Sequence, residues 1–164
     1  MASTTSCSSL FVAIMACMCF TAHAFFNLNI GVDICQKADY PALCRSVARG
    51  QKDPSVVLET TIRLLMTQTY KAMGQARRDK TSAMEVCLEV YDDAFSSLQT
   101  SISSLKSHDK GSLGINLSAA LTDYVTCDDA VAESGLRSPV TRRNERMRKM
   151  TSNCLYLSSL IRWH

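Results

Sequence analysis

The stretch "SAMEVCLEVYDDAFSSLQTSISSL", residues 82–105, decides the fold. Its apolar residues fall at Met84, Leu88, Tyr91, Phe95, Leu98, Ile102 and Leu105. The steps between them alternate four and three, the spacing of a helix that lays one seam against neighbouring helices. Neither Gly nor Pro interrupts the run, and Ser82 with Glu85 three residues later has the pattern of a capping box. The breaker-rich "SHDKGSLG", Ser107 to Gly114, follows, so the pattern predicts a helix from Ser82 to near Lys106.

Working outward, "KDPSVVLETTIRLLMTQTYKAMGQ" offers Asp53 as N-cap and Pro54 in the first turn. Val57, Ile62, Leu65, Met66, Thr69 and Met73 form a looser stripe, and Gly74 weakens its end. Downstream, "NLSAALTDYVTCDDAVAESG" reads as a helix from Asn116 to Gly135 with Leu117, Leu121, Tyr124 and Val131 inward. A last helix begins at Ser138-Pro139 and carries Val140, Met147, Met150, Cys154, Leu157 and Ile161 on one face. Each segment is long enough for about 30–37 Å of helix at 1.5 Å per residue. Short connections make consecutive helices antiparallel neighbours. The expected fold is all-α, an up-and-down antiparallel four-helix bundle.

The cysteines test that expectation. Cys87 and Cys127 are equidistant from Ser107, which lies in the breaker run, so in an antiparallel hairpin they sit at one level and can bridge. Cys35 and Cys44, in "CQKADYPALC", then pair by default. Tyr40-Pro41 breaks any helix between them, since the residue before proline is pushed out of the α region. The chain therefore makes a short helix, a turn and a second short helix, stapled at the base. A metal centre does not fit: no CxxC motif accompanies the pair, and the histidines beyond residue 24 are only His108 and His164. Cys154 is left as a free thiol on the seam of the last helix. It reads as a small buried hydrophobe; a reactive or dimer-forming thiol is the alternative.

The disulfide reading needs an oxidising compartment. Residues 1–24 carry no Lys, Arg, Asp or Glu; "LFVAIMACMCF" is continuously apolar and "AHA", Ala22 to Ala24, follows. That pattern reads as a cleaved secretory signal even without a basic n-region, with one domain over 25–164; a buried N-terminal helix is the alternative. Cleavage removes Cys7, Cys17 and Cys19. No other apolar run is long enough to span a membrane. A net charge of +3 is too small to imply nucleic acid.

Three surface features carry a functional and a bland reading. Glu85, Glu89, Asp92, Asp93, Ser96 and Gln99 form an outward row on the central helix, either a solvated face or part of a target-binding face. Asp92 and Asp93 do not make a general acid–base pair, because adjacent residues point about 100° apart on a helix. Arg137, Arg142, Arg143, Arg146, Arg148 and Lys149 open the last helix. They either pair with Asp123, Asp128, Asp129 and Glu133 or, through Arg142, Arg143, Arg146 and Lys149, hold a polyanion such as pectin. Asn116-Leu117-Ser118 is a glycosylation sequon, and Asn116 competes for a role as N-cap.

Together these motifs resemble the plant invertase and pectin methylesterase inhibitor family. Its opening signature, Cys-x-x-Thr-x-Tyr-Pro-x-x-Cys, is met by Cys35, Tyr40, Pro41 and Cys44, with Ala38 in place of the threonine. Further family motifs resemble "CLEVYDDAFSSL" from Cys87, "LSAALTDYVTCDDAV" from Leu117 and "NERMRKMTSNCLYLSSLI" from Asn144. "SPVT" at Ser138 to Thr141 is similar to a subgroup labelled as invertase inhibitors. The resemblance implies the bundle with its hairpin, both disulfides, no cofactor and no enzymatic activity. It implies a stoichiometric inhibitor, secreted to the apoplast or sent to the vacuole, whose partner is a pectin methylesterase or an acid invertase. In the esterase branch, surfaces of the central helices cover the target's substrate cleft, and Glu89, Asp92, Asp93, Ser96 and Gln99 would lie there. In the invertase branch a Pro-Lys-Phe element plugs the active site. Here the corresponding loop reads "SHDKGSLG", which points to the esterase, with invertase the alternative. The Asp53–Cys87 stretch is shorter than usual in the family. A more distant alternative is a helical carrier of a small apolar ligand.

Overall fold

The computed structural model describes residues 32–135, 138 and 140–163. The signal-like segment 1–24, with its three cysteines, and Arg137, Pro139 and His164 lie outside the described residues. Five helices follow in order: α1 Pro41–Ala48, α2 Pro54–Ala76, α3 Ser82–Lys106, α4 Lys110–Glu133 and α5 Thr141–Leu160. No strand occurs among the described residues. α3 packs against α2 and α4, and α5 closes the ring against α4 and α2. The four long helices form the expected antiparallel bundle.

Local chemistry sets most helix ends. Asp53 caps α2, its Oδ1 accepting the Ser55 N–H at 2.8 Å, and Pro54 occupies the first turn. Gly74 does not end that helix, which runs on to Ala76. α3 starts at Ser82, but Thr81 is its N-cap and makes no side-chain cap bond. The Ser82–Glu85 capping box does not form, because Ser82 is already inside the helix, one residue past the position from which its hydroxyl could cap.

The start of α4 differs most from expectation. It begins at Lys110, not Asn116, with Asp109 Oδ1 accepting the Ser112 N–H at 2.9 Å. Gly111 and Gly114 are helical. A helical glycine costs only about 1 kcal/mol, which a good cap and the burial of Leu113 offset. His108, at a φ of 58°, turns the chain within three residues. Asn116 is therefore interior to the helix and no cap: its Nδ2 donates to Ser112 O at 2.7 Å. α5 likewise begins at Thr141 rather than Ser138.

Both disulfides are present. Cys87–Cys127 joins α3 to α4 with the Cα atoms 4.6 Å apart, and Cys35–Cys44 closes the turn ahead of α1. So close an approach rotates the α3 seam. Its buried row is Met84, Cys87, Tyr91, Ala94, Leu98, Ser101 and Leu105, while Leu88, Phe95 and Ile102 are only half-buried. Cys87, Ala94 and Ser101 alternate with the large members of that row and leave room for the close approach. Leu121 is likewise half-buried, and Ala120 on α4 takes the inner position.

A polar network lies on the bundle axis. The Tyr91 hydroxyl donates to Asn144 Oδ1 at 3.1 Å, and Asn144 Nδ2 donates to Tyr124 O. The Tyr124 and Thr69 hydroxyls share a 2.6 Å bond. All four long helices contribute, and all four side chains are buried. Burial and the nearby Asp128 carboxylate push the Tyr91 phenol up; burial likewise raises that of Tyr124. Both stay neutral, and Tyr91 keeps the proton it donates to Asn144. Cys154, the free cysteine among the described residues, is fully buried on α5, and burial raises its thiol. It is a core residue, not an accessible thiol.

The stapled segment docks on α5 through one amide. Asn153 Oδ1 accepts the Tyr40 N–H and its Nδ2 donates to Tyr40 O, each at 3.0 Å. Asp39 accepts from Ser152, and Asp33 pairs with Arg45 at 2.7 Å across the staple.

Candidate target-binding face

Outside its buried row, α3 places Phe95 against α2. Phe95 sits half-buried at the mouth of a groove between the two helices, with Arg63, Met66, Thr67 and Tyr70 across from it. The groove encloses about 410 Å³. Tyr70 is 65% exposed, unusual for so large a ring, and Met66 is half-buried. Aromatic and Met side chains held at the surface by rigid helices are the residue types that anchor protein interfaces. Arg63 is steadied by Glu59 one turn earlier, at 2.6 Å.

Beside the groove runs the acidic row. Glu85, Glu89, Asp92, Ser96 and Gln99 are exposed and share one stripe of α3 by the 100° rule. Asp93 is exposed too, but it points toward α4, where it faces Asp123. Partial burial, reinforced by Asp93, pushes Asp123 up to about 6. The structure thus gathers Glu89, Asp92, Ser96 and Gln99 beside the groove and sets Asp93 on its flank.

Sequence reasoning missed the groove's apolar members. Met66 was expected in the core stripe and Phe95 in the seam. Tyr70 stood outside both patterns, and a large aromatic that fits no inward periodicity was the signal available.

The basic cluster is largely engaged. Arg148 pairs with Asp128 at 2.8 Å, the expected cross-helix partner. Arg143 reaches the other way, donating to Gln75 at 2.9 Å and to Gln68 on α2. Lys149 pairs with Glu145 on its own helix and lies 5.5 Å from the centre of the Tyr40 ring. Arg142 and Arg146 are exposed with no ion pair among the described residues. The described residues hold no group of His, Cys, Asp or Glu able to bind a metal, and no described helix is long and apolar enough to cross a membrane. The carrier reading would need space on the axis, where the Tyr91–Asn144–Tyr124–Thr69 network sits.

The described residues thus form a disulfide-pinned helical bundle with a partly apolar groove beside a charged stripe. The family model described as "Plant invertase/pectin methylesterase inhibitor" matches residues 32–157, and the chain belongs to that family. A Platanus orientalis relative named "Putative invertase inhibitor" is 41% identical over 46% of this chain and 45% of its own length. Arabidopsis thaliana "Pectinesterase inhibitor 12" is 34% identical over 52% of this chain and 48% of its own length. The chain thus spans about half the length of these curated relatives. A "21 kDa protein" from Daucus carota is 26% identical over 94% of this chain and 92% of its own. Among solved structures, a mutant form of a pectin methylesterase inhibitor from Arabidopsis covers 80% of this chain and 96% of its own at 18% identity, with a TM-score of 0.72. A pectin methylesterase inhibitor from Arabidopsis thaliana covers 79% and 93% at 22% identity, with a TM-score of 0.62. At these identities the likeness concerns the fold alone.

Proposed function

We propose that this chain is a secreted inhibitor forming a one-to-one complex with a plant pectin methylesterase, docking through the α2–α3 face. The observation that carries the reading is the groove: half-buried Phe95 and Met66 and exposed Tyr70 line it from two long helices. Glu89, Asp92, Ser96 and Gln99 would form the polar rim of the contact, with Asp93 at its edge. The turn between α3 and α4 supports the esterase over invertase, because its three residues, Ser107 to Asp109, contain no Pro-Lys-Phe element. Residues 1–24 would act as the secretory signal. Retention on pectin through the last helix would fall to Arg142 and Arg146, since Arg143 and Lys149 are engaged elsewhere.

A second reading, inhibition of acid invertase, is favoured by the 41% identity to the Platanus relative. A paired titration of the oxidised protein against a pectin methylesterase and an acid invertase, at mildly acidic pH, separates the two. Stoichiometric loss of esterase activity alone is the expected result. Phe95→Ala should weaken that inhibition about 30-fold while leaving the helical spectrum intact. Loss of invertase activity alone would establish the second reading, and unchanged inhibition by Phe95→Ala would remove the groove from the interface.

A further inference from the structure

Five methionines lie among the described residues, and four of them belong to the core. Met73, Met84, Met147 and Met150 are buried, at 7% exposure or less. The Ser138 and Thr69 hydroxyls already donate to the Met84 and Met147 sulfurs, each at 3.7 Å. Met66 is the exception. The face of α2 that buries Ile62, Leu65, Thr69 and Met73 leaves Met66 half-buried at its edge, where it lines the α2–α3 groove. Tyr70 follows it one turn later and Phe95 stands across from it on α3. The polar neighbours in the groove are committed: Arg63 pairs with Glu59, and the Thr67 hydroxyl donates to the Arg63 carbonyl at 3.1 Å. Met66 is thus the oxidisable thioether of the groove, and the least buried one among the described residues.

We propose that Met66 is a modification site: a peroxide oxidises it to the sulfoxide, and the oxidised groove docks its target poorly. The inference rests on the reading of the α2–α3 face as the docking face. A sulfur lone pair attacks one peroxide oxygen, and the S–O bond forms as the O–O bond breaks. The leaving hydroxide collects the proton of the transferred oxygen and departs as water. Sulfur is oxidised by two electrons and the peroxide is reduced by two. Selectivity comes from burial, since the four core thioethers meet peroxide only when the bundle opens. The consequence comes from polarity. A thioether packs readily against apolar and aromatic groups of a partner, whereas a sulfoxide oxygen must give up its water when the interface closes. Enzymatic reduction of the sulfoxide restores the thioether, so the change is reversible.

The test treats the folded, disulfide-intact chain with dilute hydrogen peroxide. Peptide mass spectrometry scores each methionine, and the same samples are titrated against a pectin methylesterase. Met66 should gain its oxygen at least about tenfold faster than Met73, Met84, Met147 and Met150. Protein oxidised there should keep its melting curve, yet inhibit about tenfold more weakly. Methionine sulfoxide reductase should reverse the loss. Met66→Gln, polar without peroxide, should weaken inhibition by a similar factor of about ten. Met66→Leu should show the same inhibition before and after peroxide, whatever its starting affinity. Equal oxidation of all five methionines overturns the proposal. So does unchanged inhibition by the Met66 sulfoxide, or a peroxide effect of the same size in Met66→Leu. A parent chain that never inhibits the esterase overturns the docking reading and the regulation with it, while the peptide map still decides whether Met66 is the site that reacts.

Discussion

The α3–α4 pair and the α2–α5 pair face each other across the same axis but are held by different forces. α3 and α4 approach closely around Cys87–Cys127, with Ala94, Ser101 and Ala120 buried between the larger side chains. α2 and α5 have no covalent link. Arg143 spans them by reaching Gln68 and Gln75, and Thr69 lies 3.7 Å from the Met147 sulfur. The covalent pair intersperses small residues among Tyr91, Leu98 and Tyr124 on its inner side, and Phe95 is left half-buried at its edge. The groove with Phe95 lies on the α2 side of the same helix.

Breaking the covalent side should have the larger effect. Cys87→Ser removes a loop closure of 40 residues and should lower stability by about 2–4 kcal/mol in urea denaturation of the oxidised protein. A variant as stable as the parent would mean that packing of the small residues alone holds the pair. On the other side, Arg143→Ala loses two partly exposed hydrogen bonds and should cost about 1 kcal/mol. Equal losses for the two variants would erase the contrast between the halves.

The smallest effect sharpens the comparison by pH. Asp123 faces Asp93 across the covalent pair, and its carboxyl is raised from 3.8 to about 6. The folded chain therefore holds that proton more firmly than the unfolded chain. The associated stability is present below 3.8 and lost as pH rises through about 6. Asp123→Asn should thus stabilise the protein at pH 7 by about 1 kcal/mol or less, given solvent screening, and change little near pH 3.5. Melting curves at the two pH values check it; a gain of the same size at both would implicate helix propensity rather than charge.

The same contrast explains what could be read in advance. Ends governed by one residue were legible: Asp53-Pro54 starts α2, and the Gly135 that follows α4 has a φ of 66°. Pairing was legible too, because an antiparallel hairpin fixes which cysteines share a level. The start of α4 was not, since Gly111 and Gly114 weigh against a helix locally and only the Asp109 cap and the burial of Leu113 outweigh them. The seam of α3 was legible in part: Met84, Tyr91, Leu98 and Leu105 are buried as its periodicity predicts, while Leu88, Phe95 and Ile102 are only half-buried. The inward row is chosen by backbone distance, a property of the pair that no single helix carries in its pattern. The α2–α3 groove borders the half-buried part of that row, so Phe95 reads from the sequence as seam while the outward polar row is legible.

The odd thiol gives the fold a kinetic character. Cys154 sits beyond the reach of solvent, so in the native state it cannot attack either bridge. Each global opening exposes it alongside two disulfides, and exchange through a mixed disulfide then competes with refolding. The native pairing is therefore guarded by the rate of unfolding rather than by the absence of a reactive partner. Heating at alkaline pH, where the unfolded thiol ionises, turns a reversible transition into an irreversible one.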